Sequence, residues 1–297
     1  MRDPGEVFLE NRDRLFGLAY RMLGSAADAD DVVQEAFLRL QRANADQIDS
    51  AAAFLTTVTT RLAIDQLRRL RTEREHYIGP WLPEPLVGPP AMAADEQTAL
   101  AESLSQAMLV VLETLEPSER AVFLLREVFD IDYAQIAEII GQSATNCRQL
   151  LHRAKERISA GRSKSRGPTR EEHDRLTQQF FASCVSGDLD GLKSLLADDV
   201  ISYHDGGGKL SGARRPLYGC DAVARFFVGI TKKSPPGISL RPATVNGQPG
   251  VIAYEHERPT DVLQFEIADG RIRAIRVQRN PDKLIRIPHL EPPSEAP

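Results

Sequence analysis

Two short helices around a tight turn are predicted between residues 132 and 158, and this pair constrains the fold more than any other feature of the chain. Asp132 is a favourable N-cap for the first helix, Gly141 is placed to end it, and Ser143 can cap the second helix. The second helix has one apolar side, formed by Cys147, Leu151, Ala154 and Ile158. Its other side is polar and basic, which is the pattern of a helix-turn-helix whose second helix can lie in the major groove of DNA. A simple helical hairpin with a solvated basic face would give the same pattern, because short helix pairs are common.

The bulk composition limits where nucleic acid could bind. A chain of 297 residues suits two or three domains. Its formal net charge is −5, so any binding of nucleic acid has to rely on local basic patches. Two such patches exist, one between Arg61 and Arg74 and the other between Arg148 and Arg170.

The cysteines and the first residues indicate a compartment. The three cysteines are widely spaced, which argues against a disulfide framework and against a structural zinc site. The start of the chain lacks the apolar stretch of a signal peptide, and no run approaches the ~20 apolar residues of a membrane span. We therefore expect a soluble cytoplasmic protein that does not enter the membrane and holds no metal or cofactor.

The residues before the hairpin extend the helical pattern. Pro117 fits the first turn of a helix, and apolar residues then recur at helical spacing. Together with the hairpin, the block from about Asp95 to Arg162 resembles region four of bacterial RNA polymerase sigma factors of the extracytoplasmic-function type. The resemblance implies that the second hairpin helix contacts the minus-thirty-five promoter element, through Ser143, Asn146, Arg148, Gln149, His152 and Arg153.

An earlier segment resembles region two of the same family. Glu6 to Leu23 reads as an amphipathic helix, and Ser25 can cap the next one. The segment from Asp28 to Leu40 is acidic at its start and basic at its end, which suits the helix dipole of a well-capped surface helix. In the family this helix grips the clamp helices of RNA polymerase. The resemblance implies contacts with the beta and beta-prime subunits of the core enzyme, through Asp31, Gln34, Glu35, Phe37 and Arg39.

A long basic helix is predicted from about Ala51 to Glu75, with arginines at about helical spacing. Its segment from Leu62 to Arg69 resembles the helix of the family that melts the promoter and reads the minus-ten element. A basic helix can hold the non-template backbone while a neighbouring loop pockets an unstacked base. The resemblance implies minus-ten contacts by Arg61, Asp65, Arg68 and Arg69.

The stretch from His76 to Asp95 changes character. It holds five prolines and two glycines, which preclude a regular helix and predict an extended linker between two helical domains. The only tryptophan, Trp81, lies in it. A tryptophan in such a segment favours docking onto another surface, because exposure would leave ~150–250 Å² of buriable area unused. A second, short and basic linker is predicted at residues 163–170.

Beyond the second linker the pattern changes from helices to strands. Two helices are predicted from Glu171 and from near Asp188, and strand signals follow from Val200 on, which favours an α+β cone with an antiparallel sheet. The segments 187–200 and 219–227 resemble SnoaL-like domains, a group that includes polyketide cyclases and ketosteroid isomerases but also many members without catalysis. The predicted protein is multidomain, with two all-α sigma domains at residues 1–75 and 96–162, an α+β SnoaL-like domain at 171–290 and a tail at 291–297.

Three motifs connect this last domain to the linker. A subgroup of extracytoplasmic-function sigma factors carries a SnoaL-like domain at the C-terminus, and its motifs resemble three places in this chain. The resemblance implies regulatory contacts between the linker, a loop with three glycines and a segment near the end. The residues are Trp81 and Pro83; Asp205, Gly206, Gly207, Gly208 and Lys209; and Asn280, Pro281, Asp282 and Lys283.

These resemblances favour a sigma factor that performs no covalent chemistry. We expect it to be a monomer when free, to bind core polymerase and promoter DNA, and to be modulated by its own C-terminal domain in place of an anti-sigma factor. One alternative is a bifunctional protein whose C-terminal domain is a small-molecule isomerase, a cyclase or a ligand sensor. His204 and Asp205 could then be an acid/base pair at the mouth of the cone, although a histidine in a strand is more often part of a core or rim. A repressor that needs no polymerase is a further alternative, but it would have no use for the helix at Asp28 to Leu40.

Overall fold

The computed structural model describes residues 3–43, 48–88, 105–161, 168–210 and 213–290. The chain forms two compact units. The first, called the helical unit here, comprises residues 1–76, 98–104 and 108–162; the second, called the sheet unit, comprises residues 77–97, 105–107 and 163–297. The first part of the predicted linker thus belongs to the sheet unit. Its end at residues 89–95, the second linker at 163–167 and the tail at 291–297 lie outside the described residues.

The helical unit starts with three long helices, α1 (Pro4–Leu23), α2 (Ala26–Arg42) and α3 (Ala51–Glu75). After α4 (Gln106–Leu112), which begins in residues of the sheet unit, come α5 (Pro117–Phe123), α6 (Tyr133–Ile140) and α7 (Ala144–Gly161). Among the described residues, no helix is both long and apolar enough to cross a bilayer.

The helix caps predicted from the sequence are confirmed. Asp132 accepts a hydrogen bond from the N–H of Gln135 at 2.8 Å, and Ser143 accepts one from the N–H of Asn146 at 3.1 Å. Gly141 ends α6 with φ = 67°, a left-handed conformation that glycine adopts without strain. A π-helical stretch, Leu124–Val128, directly continues α5 and was not predicted. This stretch buries Leu124 and Leu125.

A buried arginine joins the helices of this unit. The side chain of Arg120 is 1 % exposed and donates to the carbonyl oxygens of Met22 at 2.7 Å and Leu109 at 3.3 Å, and to the carboxylate of Glu113 at 2.5 Å. Glu113 also pairs with Arg74 from the end of α3. The carbonyl of Met22 in the last turn of α1 thereby receives a donor from α5, and that of Leu23 receives one from Arg74 of α3.

The C-terminal part of the sheet unit contains α8 (Arg170–Ser186) and α9 (Leu189–Leu195), followed by β2 (Leu196–Asp205), β3 (Leu217–Tyr218) and α10 (Cys220–Lys233). The strands β4 (Ile238–Val245), β5 (Gln248–Glu255), β6 (Arg258–Ala268) and β7 (Arg271–Gln278) follow, and a 3₁₀ turn at Pro281–Lys283 comes near the end. The extended linker supplies the edge strand β1 (Val87–Gly88).

The seven strands described form one sheet in the order β1-β4-β5-β6-β7-β2-β3. The expectation of an antiparallel sheet is wrong at one place, because β2 pairs with β7 in parallel while the other neighbours are antiparallel. Parallel neighbours need a long crossover, and the chain between β2 and β7, which includes α10, is long enough to supply it.

Each face of the sheet carries its own apolar core. Leu263 and Phe265 of β6 pack with the helices, whereas Val262 belongs to a second cluster with Leu284 and Ile287 from the end of the chain. Alternate residues of a strand point to opposite faces, so the two clusters lie on opposite sides of the sheet. Val87 of the linker packs against the second cluster. The linker and the end of the chain therefore cover the face that the helices leave open.

Replacing Arg120 with alanine should lower the free energy of unfolding of the helical unit by about 3–5 kcal/mol, because the partly buried Glu113 loses a cation and two carbonyls lose a donor. Arg12→Ala is the matched control. Arg12 also joins two helices, through Asp30 at 3.4 Å, but it is half exposed, and a loss of about 0–1 kcal/mol is expected. Denaturant unfolding followed by helical circular dichroism measures both variants, and equal losses would contradict the anchoring role of Arg120.

Candidate functional site

The first half of α7 presents polar side chains to solvent. Arg148 and Gln149 are exposed, while Cys147 and Leu150 are buried beneath them. Asn146 donates to the side chain of Gln142 at 2.9 Å. The guanidinium of Arg148 lies 4.9 Å from the centre of the Tyr133 ring, at the start of α6.

The second half of α7 carries cations that are paired with carboxylates. Arg153 lies 3.2 Å and Arg157 2.8 Å from Glu119, whose side chain is only 3 % exposed. Glu119 also accepts the backbone N–H of Glu116 at the start of α5. Sequence reasoning missed this residue, although a glutamate two positions after Pro117 is a capping-box signal. Of the predicted minus-thirty-five residues, Arg153 thus also ties α7 to α5, and His152 lies 3.4 Å from Glu156.

The predicted minus-ten residues of α3 have partners within the helical unit. Arg61 donates to the carbonyl oxygens of Ile139 at 2.8 Å and Glu138 at 2.9 Å, which belong to the last turn of α6. Arg68 pairs with Asp65 at 2.9 Å, and Arg69 donates to Gln66. Arg61 thus engages its Nε and Nη2 groups within the helical unit, although the residue is exposed.

The predicted polymerase-binding residues lie along the outer side of α2. Asp31, Gln34 and Arg39 are exposed, and Arg39 pairs with Glu35 at 2.8 Å. The Phe37 ring is half-buried because it stacks on Phe8 of α1, with ring centres 4.3 Å apart. This side of α2 therefore combines charges of both signs with an apolar centre.

A buried carboxylate brings the three predicted regulatory motifs of the sheet unit together. Asp205, at the end of β2, is completely buried. Its two oxygens accept five hydrogen bonds from separate parts of the chain. The donors are the Tyr77 hydroxyl at 2.5 Å, the Leu82 N–H at 2.9 Å, the Gly207 N–H at 3.1 Å, the Gln278 amide at 3.2 Å and the Lys283 ammonium at 2.7 Å.

The Lys283 ammonium contacts the linker directly. It donates to the carbonyl oxygen of Leu82 at 2.6 Å and lies 4.3 Å from the Trp81 ring centre and 5.0 Å from that of Tyr77. A cation over an aromatic face is attracted by the ring quadrupole. Asn280 donates to the Tyr77 hydroxyl at 2.9 Å, and burial together with the bond to Asp205 raises the pKa of Tyr77 well above its usual value. Pro83 takes part through its carbonyl, which accepts from Gln278 at 3.3 Å.

The glycine loop fits this cluster because side chains would not. Gly207 and Gly208 have φ of 60° and 72°. A Cβ on Gly207 would lie 2.5 Å or less from the Asn280 amide, and one on Gly208 would meet Ile78 at 3.0 Å. Lys209 completes the loop with an exposed ion pair to Asp282 at 2.6 Å, which follows Pro281 in the 3₁₀ turn.

His204 and Asp205 do not form the acid/base pair that the sequence allowed. They are neighbours in β2, so their side chains point to opposite faces of the sheet. His204 is buried against the Phe226 ring on the helix side and is hydrogen-bonded to the Ser202 hydroxyl at 2.8 Å. Burial, with a smaller effect from Arg279, lowers the pKa of His204 to about 4. The imidazole is therefore a neutral part of the core at neutral pH.

Comparison with known proteins identifies the family. Residues 7–73 match the model for sigma-70 region 2, and residues 105–158 match that for sigma-70 region 4. The chain is 36% identical over 291 residues to the ECF RNA polymerase sigma factor SigJ of Mycobacterium tuberculosis, strain ATCC 25618 / H37Rv, covering 94% of this chain and 93% of that protein. The chain belongs to the extracytoplasmic-function (ECF) RNA polymerase sigma factors.

The similarity of this sigma factor to its relatives extends over both units. It is 36% identical over 279 residues to the probable ECF RNA polymerase sigma factor SigI of M. tuberculosis, strain CDC 1551 / Oshkosh, with 92% of each chain covered. The crystal structure of M. tuberculosis SigJ superimposes with a TM-score of 0.73 at 33% identity, over 95% of this chain and 98% of that one. The predicted order of two all-α sigma domains followed by an α+β domain is confirmed.

Lys283→Met should release the linker of this sigma factor from the sheet unit, because Asp205 would lose its only ion-pair partner within the described residues. Leaving a buried charge unpaired costs about 3–5 kcal/mol, so the sheet unit should lose that much stability. The emission of Trp81 should shift to the red as its ring becomes hydrated. Lys209→Met removes an exposed ion pair from the same cluster of loops and should cost about 0–1 kcal/mol with no spectral shift. An unchanged Trp81 spectrum in Lys283→Met would contradict the role assigned to Lys283.

The sheet unit should lose stability as the pH falls from about 6.5 to about 4. In this range the unfolded chain protonates His204, whose ordinary pKa is 6.5, whereas the folded chain keeps it neutral down to a pKa of about 4. The free energy of unfolding should fall with a slope that approaches about 1.4 kcal/mol per pH unit from this group. His204→Gln retains a hydrogen-bonding amide near Ser202 and should remove this component. Equal pH slopes in unfolding titrations of the two proteins would refute it.

Proposed function

We propose that this sigma factor binds core RNA polymerase through the outer side of α2. That surface joins the exposed Asp31, Gln34 and Arg39 with the half-buried Phe37 and the exposed Leu38. An apolar centre with a charged rim is typical of protein–protein interfaces. The names of its relatives, which are sigma factors of RNA polymerase, support the same partner.

We further propose that α3 holds the minus-ten element and that α7 reads the minus-thirty-five element. Arg61 supports a change of state on binding, because its Nε and Nη2 groups donate to the last carbonyls of α6 in the free protein. Release of these two hydrogen bonds would free the arginine for the DNA backbone and would separate α3 from α6. Binding of the core enzyme would then accompany promoter binding, and the free chain would bind promoter DNA poorly.

The C-terminal domain, in our proposal, controls the linker between regions two and four. The observation that carries this is the buried Asp205, whose donors come from the linker, the glycine loop and the end of the chain. Residues 77–88 belong to the connection between region two, whose match ends at residue 73, and region four, whose match begins at 105. When this part of the linker is held on the sheet, fewer linker residues remain flexible. The length of the flexible part limits the distance between the two DNA-binding regions. A fused domain provides an effective concentration in the millimolar range, so even a weak contact would be well occupied.

The packed interior of the sheet unit favours a role without catalysis. Phe180 meets the Phe227 ring at 5.0 Å and the Phe265 ring at 5.1 Å between centres, both edge to face. These rings belong to the apolar cluster that fills the space between the helices and the sheet. His204, the candidate base, is buried and neutral there. We therefore propose that the domain acts by contact rather than by turnover of a small molecule or by sensing one inside the cone.

Transcription with purified core polymerase tests the proposal. The wild-type protein should direct core enzyme to a defined set of start sites, identified by sequencing the transcripts, and should bind the same promoters poorly alone. Tight, specific binding without core would favour a repressor, and turnover of a small molecule by the sheet unit would favour an enzyme.

Lys283→Met should change promoter output by about fivefold or more, a usual size for coupling between two sites, while the affinity for core polymerase stays unchanged. Trp81→Ala should shift output in the same direction, because it removes the ring beneath the same ammonium. Arg225→Met is the control, because it removes only the exposed ion pair with Asp221 on α10, and it should behave as wild type. Equal output from all four proteins would refute control by the linker contact.

A further inference from the structure

One aromatic ring of the helical unit holds two arginines. The Tyr133 ring, at the first position of α6, lies 4.9 Å from the guanidinium of Arg148 and 5.5 Å from that of Arg126. Arg126 is itself fixed, because it donates to the side chain of Asp130 and to the carbonyl oxygen of Ile131, both at 3.1 Å. Tyr133 therefore stands between a fixed cation and an exposed one.

Arg148 differs from every other cation described on α7. Arg153 and Arg157 pair with Glu119, Lys155 pairs with Glu127 at 2.8 Å, and His152 lies beside Glu156. Within the described residues, Arg148 has no carboxylate within 4.0 Å, and the Tyr133 ring is its contact instead. The Tyr133 ring attracts the guanidinium through its face. The N–H groups along the planar edge of the guanidinium remain unused. Arg148 thus keeps both its charge and its hydrogen-bonding fork available to a ligand.

We propose that Tyr133 is a positioning residue for Arg148, and that Arg148, held in this way, reads a guanine of the upstream promoter element. This rests on the proposed function of α7. A guanidinium fork matches the O6 and N7 acceptors of guanine in the major groove. Arginine loses much rotamer freedom when it is ordered, and stacking on a ring fixed in the fold orders it before DNA arrives. Arg153 shares the Glu119 carboxylate with Arg157, and we assign it to the position of α7 rather than to the choice of base.

The test measures transcription by the full-length protein with core polymerase, on a promoter carrying every single base-pair change in its upstream element. Arg148→Lys keeps the charge but not the fork, and it should reduce discrimination at one G·C pair by about 5- to 150-fold. Tyr133→Leu should reduce discrimination at the same pair by about two- to fivefold. Tyr133→Phe should retain it. The double variant Tyr133→Leu/Arg148→Lys should be no worse than Arg148→Lys alone, because Tyr133 acts through Arg148.

A second measurement reports positioning in the free protein. The side-chain N–H resonance of Arg148 should show a ring-current shift in the NMR spectrum, which Tyr133→Leu removes and Tyr133→Phe keeps. Phe129→Leu is the matched control. It removes another ring that carries arginines, Arg14 at 5.5 Å and Arg21 at 5.8 Å, and should change neither the Arg148 resonance nor the base preference.

Several outcomes would overturn the inference. Arg148→Lys with unchanged discrimination would show a phosphate contact instead of base reading. A loss in Tyr133→Leu that is equal for all promoters, or a loss in Tyr133→Phe, would show a general or a hydroxyl role for Tyr133. If the wild-type protein directed no promoter-specific initiation, both the inference and the proposed function would be overturned. If Tyr133→Leu initiated normally with an unchanged base preference, only the positioning role of Tyr133 would be overturned.

Discussion

The buried carboxylate of Asp205 is the interaction on which the organisation of the sheet unit depends. A carboxylate without solvent exposure is strongly destabilising unless cations and hydrogen-bond donors surround it. Its donors lie far apart in sequence, in the linker, in the glycine loop and after β7. All three segments must be in place at once to satisfy it. The linker is therefore part of the fold of this unit, and a change in any one segment is felt by the other two.

The helical unit uses the same principle, with two arginines at each carboxylate. Partly buried or buried glutamates, Glu113 and Glu119, each gather two arginines from other helices. The arginines of this unit look equivalent in the sequence. Pairing with these glutamates separates the arginines that fix the helices from those that remain available to a ligand. Arg120 belongs to the first group and Arg148 to the second. The net charge of the chain has no bearing on this division, because it depends on which cation meets which carboxylate.

The helices and their caps could be predicted because their causes are local. Ser143 caps α7 through an N–H three residues away, and α3 was predicted with its observed bounds. The family motifs added the domain order, which the comparisons confirm. The pairing of Arg61 with Ile139 could not be predicted, because the two residues are 78 positions apart and no local pattern encodes their meeting. The role of Glu119 was missed for a related reason. Its capping of α5 is local, but the two arginines that pair with it lie on α7, more than 30 positions away.

The sequence by itself determined the helical segments, the extended proline-rich linker, the turn glycines and the motifs that resemble those of sigma factors. The helices, the linker and the turns follow from backbone restrictions and from hydrogen bonds within a few residues. The family follows instead from the motifs that the chain shares with sigma factors. Only the tertiary structure decided that β2 runs parallel to β7, that the linker supplies an edge strand, and that His204 and Asp205 face opposite sides of the sheet. These features depend on contacts between segments that are distant in sequence. Such contacts stabilise the fold only when several segments together bury the same polar group or the same apolar face.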